Sequence, residues 1–154
     1  MADNDLITVD FQGDEAAQIK LAKFESNLKN EQALLRDVGI YMRKSIVENF
    51  NQGGRPYKWP FDWTTPYGQW KSEAGYYNVL IVSGILRGAV EVEERDDRVL
   101  VGVDGDFIPY AATHQNGDKS RNIQQRKYIM IQERDKDWIM KRVAKFAEQA
   151  WRSS

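Results

Sequence analysis

The chain has 154 residues, 42% hydrophobic and 29% charged, which suits one domain, residues 1–154, with a real hydrophobic core. Zero cysteines exclude a disulfide framework and thiolate-held metal, and a single histidine excludes a multi-histidine metal site within the chain. No apolar run approaches the roughly 18 residues that span a bilayer, and residues 1–5 carry no apolar signal core, so neither a membrane anchor nor secretion is expected.

The net charge of −1 hides an uneven spread. Residues 1–118 hold 12 Lys/Arg against 19 Asp/Glu, and residues 119–154 hold 10 against 4. Such a split fits nucleic-acid binding, contact between an acidic and a basic face of two copies, or simply a solvated helix face.

Residues 6–11, Leu6-Ile7-Thr8-Val9-Asp10-Phe11, favour a short strand. Asp14 then reads as an N-cap, with Ile19, Leu21, Ala22, Phe24 and Leu28 on one face of a first helix. A second, longer helix is expected over residues 31–51. There Leu35, Val38, Met42 and Ile46 recur every three or four residues, and Gly53-Gly54 stops the helix. From 52 to 78 runs a loop with Pro56, Pro60 and Pro66 but no clean period. It is rich in aromatic residues, among them Trp59, Trp63 and Trp70, so it should be ordered against something: its own domain, a neighbouring copy, bases or sugar rings.

Val90 and Val92, then Val99, Val101 and Val103, alternate on either side of Asp96-Asp97, which predicts a β-hairpin. Asp104-Gly105-Asp106 and Asn116-Gly117-Asp118 read as turns. Tyr128-Ile129-Met130-Ile131 reads as a buried strand or an extended entry to the last helix. That helix starts at Asp135 or Asp137 and buries Ile139, Val143, Phe146, Ala147 and Ala150. The fold class expected is α+β: one two-layer domain with a mainly antiparallel sheet against a long amphipathic helix, and a C-terminal helix.

Catalytic patterns fail one by one. Asp104-Gly105-Asp106 is a fragment of a calcium loop, Gly53-Gly54-Arg55 lacks the phosphate-loop spacing, and Gly102-Val103-Asp104-Gly105 lacks the dinucleotide fingerprint. His114 has no nucleophile or orienting partner readable from sequence, so a structural histidine, hydrogen-bonded in the domain or at a subunit contact, is expected. No catalytic residue, metal or cofactor is assigned.

The order of the short motifs resembles the phage virion morphogenesis family, the tail-completion proteins of Mu-like and P2-like tailed bacteriophages. Phe50 ends a helix and Trp59-Pro60 follows in the loop. Leu80 then precedes Ser83-Gly84-Ile85-Leu86-Arg87, and the hairpin ends in Val101-Gly102. Tyr110-Ala111-Ala112-Thr113-His114-Gln115-Asn116-Gly117 comes next, then Ile123-Gln124-Gln125-Arg126-Lys127-Tyr128. Asn116 replaces the usual aromatic residue, and Gln124 and Lys127 replace two usual prolines.

The resemblance implies a structural protein of phage or prophage assembly that completes the tail or joins it to the head. It would act as a homo-oligomeric ring beside other tail or connector proteins, located in the virion and, during assembly, in the host bacterial cytoplasm. It implies no enzyme activity, membrane contact or nucleic-acid partner. The acidic hairpin over residues 91–97 would meet Lys119, Arg121, Arg126 and Lys127 of the next copy, with Trp59, Trp63 and Trp70 adding apolar contact. Two other classes stay open: a nucleic-acid-binding module using the basic C-terminal region, and a carbohydrate-binding or carbohydrate-active protein using the aromatic loop.

Overall fold

The structure is a computed structural model and describes residues 7–12, 16–21, 31–80, 84–95, 98–104, 108 and 110–152. Asp14, Ala22, Phe24, Leu28, Ser83, Asp96-Asp97 and Gly105-Asp106, each given a part by sequence, lie outside the described residues.

Four strands form one antiparallel sheet in the order β1-β2-β4-β3. They are β1 (Ile7–Gln12), β2 (Ala16–Leu21), β3 (Glu91–Glu94) and β4 (Arg98–Gly102). β3 and β4 make the expected hairpin, with Val92 opposite Val101 and Glu94 opposite Val99. The first helix is not formed over residues 16–21. That stretch is strand β2, paired to β1 on one side and β4 on the other. Its apolar residues fit helical spacing, but Ala17, Ile19 and Leu21 also alternate with Gln18 and Lys20. Two partner strands decide between the periods.

Helix α1 (Glu31–Asn51) lies on this sheet through the predicted stripe: Leu34, Leu35, Val38, Met42, Ile46 and Phe50 are buried against Val90, Val99 and Val101. Burial of each such side chain stabilises the fold by roughly 1.5–3 kcal/mol. A Cβ on Gly39 would stand 2.6 Å from Val92 Cγ1 and 2.7 Å from Val99 Cγ2, so glycine sets how closely helix and sheet approach. The Arg43 Nε donates to the Val90 carbonyl at 2.8 Å, tying helix to hairpin.

Helix α5 (Glu133–Arg152) closes the core with Ile139, Val143 and Phe146, and Trp138 stacks on Tyr41 of α1 at 4.0 Å. It begins two residues before Asp135. The Asp135 carboxylate reaches back to accept from the Gln132 amide at 2.8 Å, one half of a capping box. Tyr128 to Ile131 belongs to no helix or strand and bends at Ile129; Tyr128 and Ile129 are fully buried.

The stretch from 52 to 78 is more regular than its prolines suggest. Thr65 caps helix α2 (Pro66–Glu73), its hydroxyl accepting from the Gly68 amide at 3.0 Å, and Pro66 occupies the first turn, where its missing N–H has no partner to lose. Among the described residues there are also two short helices, α3 (Ile85–Gly88) and α4 (Ala111–Asn116), and a 3-10 turn at Lys119–Arg121. No described helix is long and apolar enough to cross a membrane.

Candidate functional site

The His-Gln-Asn-Gly segment works as a clamp. The Gln115 side chain is buried in α4; its Oε1 accepts from the Tyr128 and Ile129 amides at 3.1 and 3.0 Å, and its Nε2 donates to the Ile129 carbonyl at 3.0 Å. One amide side chain thus supplies the ladder bonds that this segment would otherwise need from a strand. The Tyr128 hydroxyl donates back to the Ala111 carbonyl at 3.0 Å, and Ala111 is fully buried. Gly117 ends α4 at φ +76°, and a Cβ there would stand 2.8 Å from the Gln125 amide nitrogen, so only glycine fits this turn. The Arg126 amide donates to the His114 carbonyl at 2.8 Å and brings the two motifs together.

Arg126 and Trp59 bind the aromatic segment to this clamp. The Arg126 Nε donates to the Pro60 carbonyl at 2.8 Å, and its guanidinium lies 5.6 Å from the Phe61 ring centre. Trp59 is buried, with its indole N–H directed to the Lys127 carbonyl at 3.2 Å and its ring edge-on to Phe50. Trp59 is therefore a core residue, which corrects its expected place on an intersubunit face, while Arg126 ties the aromatic segment to the clamp through Nε alone. Trp63 is half-buried against Phe61 at 4.5 Å. Trp70 is 49% exposed. Lys119, Arg121 and Lys127 are exposed, and Arg121 is paired with Asp118 at 2.7 Å.

These ties enclose a cleft of about 200 Å³. Gly84 and Leu86 form one wall, Tyr110, His114 and Arg126 a second, and Phe61, Tyr67 and Lys71 a third. Seven residues of the family-like motifs, from Leu80 to Arg126, thus meet around one space. Of the others, Arg87 donates to the Asn51 side chain at 2.9 Å, and Gly102 pairs with Glu91 and Ala16 in the sheet. Phe61, Tyr67 and Lys71 were not singled out by sequence, and the only signal for them was the aromatic density around them.

The cleft is cationic and partly dehydrated. Lys71 is 1% exposed, and its Nζ donates to the Asn78 carbonyl at 2.6 Å. Burial lowers the pKa of Lys71 and of Arg126. Burial, and secondly the Arg126 charge, lower that of His114, so its imidazole is neutral near pH 7. The His114 Nδ1 is sealed from solvent and has no hydrogen-bond partner among the described residues. Among the described residues no group of three His, Asp or Glu is placed to hold a metal ion.

A model of the phage virion morphogenesis family matches residues 13–146, nearly the whole chain. The chain belongs to that family. Membership ties it to virion assembly, and the motifs that carried the resemblance are those that build the clamp and the cleft. No curated protein and no solved structure gives a significant match.

Proposed function

We propose that this member of the phage virion morphogenesis family is a structural subunit, not an enzyme, that completes the tail or joins it to the head as a ring of identical copies. It would reside in the virion after assembly in the host bacterial cytoplasm. One observation carries the reading. Around helix α2, Tyr67 stacks near Trp70 at 5.8 Å and Trp70 lies tilted to Tyr76 at 6.0 Å, with Tyr67 55% exposed and Tyr77 69% exposed. Aromatic residues held rigidly at a surface are the usual anchors of protein interfaces. The basic C-terminal region supports a protein partner over nucleic acid, because Lys136, Arg142 and Arg152 are paired with Glu133, Asp37 and Glu148.

The test uses the full chain and tails assembled without it. Light scattering across concentration should show self-association, and added protein should restore joined particles. Trp70→Ala should fold normally and abolish restoration. A wild type that neither self-associates nor restores particles overturns the reading.

A further inference from the structure

The cleft offers more donors than the chain uses. Arg126 uses Nε on Pro60, and its two Nη nitrogens have no partner among the described residues. The buried Nδ1 of His114 is cheaper left as a bare acceptor than as an orphaned N–H, so the neutral ring carries its proton on Nε2. Lys71, bonded to the Asn78 carbonyl, adds its charge from another wall of the cleft, and no Asp or Glu lines the cleft among the described residues. A carboxylate entering it would take both Nη groups of Arg126, a fork that matches its geometry. The volume, about 200 Å³, is below the roughly 300–1,000 Å³ of sites for free small molecules. It suits the end of one side chain, and the exposed Tyr67, Ile85 and Tyr110 at its lining are the apolar company that a protein contact provides.

The same chain carries a matching acid. Strand β3 is a sheet edge bearing Glu91, Glu93 and Glu94. Glu93 is paired with Arg95 at 3.1 Å and Glu94 with Arg36 at 2.8 Å, whereas Glu91 is exposed and has no ion pair among the described residues. We infer that the cleft is a carboxylate socket, filled by Glu91 of a second copy. The inference rests on the self-assembly reading above and names its contact: Arg126 grips the carboxylate, and the His114 Nε2–H supports it. Acid edge to cationic cleft is an unlike pairing, the kind that repeats around a ring.

Two measurements test it on the full-length protein. In sedimentation velocity, Glu91→Gln should weaken self-association about tenfold, while Glu93→Gln should change it less than about twofold. By NMR, N-acetylglutamate α-amide should shift the His114 imidazole resonances saturably, and N-acetylglutamine α-amide, which has no carboxylate, should not. Arg126→Gln should remove the response, with the circular dichroism spectrum reporting that the variant is folded. Absence of a saturable shift overturns the socket. A shift combined with wild-type assembly by Glu91→Gln overturns Glu91 as the occupant and leaves the ring standing. A wild type that never self-associates overturns the ring and the occupant together.

Discussion

Two polar clusters flank the segment from Tyr128 to Gln132, and they differ in how completely their hydrogen bonds are closed. On one side, Ser45, Asn49, Arg55, Gln132 and Asp135 form a network under α1. Arg55 donates to the Asn49 side chain at 2.8 Å and to the Ser45 hydroxyl at 2.8 Å. The Ser45 hydroxyl in turn donates to one Asp135 carboxylate oxygen at 2.7 Å, and Tyr41 donates to the other at 3.0 Å. Asn49 donates to the Tyr128 carbonyl at 2.7 Å. On the other side, around His114, a buried nitrogen is unbonded and the Nη groups of Arg126 remain open. A closed network fixes the fold and leaves nothing for a ligand. An open one carries a cost in the free protein that a partner can relieve.

The difference can be broken from the closed side first. Asp135→Ala removes the acceptor for Tyr41, Ser45 and the Gln132 amide, and leaves Arg55 without the acid that Ser45 relays to it. Loss of charged hydrogen bonds in a buried network predicts about 3 kcal/mol of destabilisation, read from the urea midpoint at constant m-value. Next is Gln115→Leu, which fills the same space but strands the Tyr128 and Ile129 amides and the Ile129 carbonyl. About 2 kcal/mol should be lost. A loss under about 0.5 kcal/mol would mean that water replaces the Gln115 bonds and that the clamp is not what holds the segment.

Half of this architecture was legible in the residues themselves. The Leu35, Val38, Met42 and Ile46 stripe gave α1, because packing on a sheet needs only its own periodicity. Val99 and Val101 gave the hairpin for the same reason. β2 was not legible, since six residues satisfy a helical and a strand period alike, and its partners β1 and β4 lie on opposite sides of it in sequence. α2 was missed because Pro66 reads as a breaker unless Thr65 is recognised as its cap. Gly84, Tyr110, His114 and Arg126 could each be singled out as motif members, but their meeting could not. The contacts that join them to the aromatic segment, Arg126 to Pro60 and Trp59 to Lys127, span 66 and 68 residues, a separation at which no local pattern operates.

The smallest effect expected lies on the open side, at His114, and shows in pH dependence more than in absolute stability. The folded pKa of this imidazole is below the ordinary 6.5, because burial and then Arg126 disfavour its charged form. As pH falls through 6.5 the unfolded chain takes up a proton that the folded chain resists, so stability declines with acidification until the folded pKa is reached. The slope of one such proton cannot exceed about 1.4 kcal/mol per pH unit. His114 is the sole histidine, so no other imidazole shares the window. Asp118 titrates elsewhere: hydrogen bonds from Ser120 and Arg121 hold its carboxyl at about 2, and its contribution is lost only as pH falls from 3.8 toward that value. His114→Gln should therefore lie within about 1 kcal/mol of wild type at pH 8 and gain on it steadily between pH 6.5 and 5, as measured by urea midpoints across that range. Parallel profiles for the two proteins would show that the buried imidazole is protonated in the folded state without penalty, and the contrast between a closed and an open polar cluster would lose its electrostatic half.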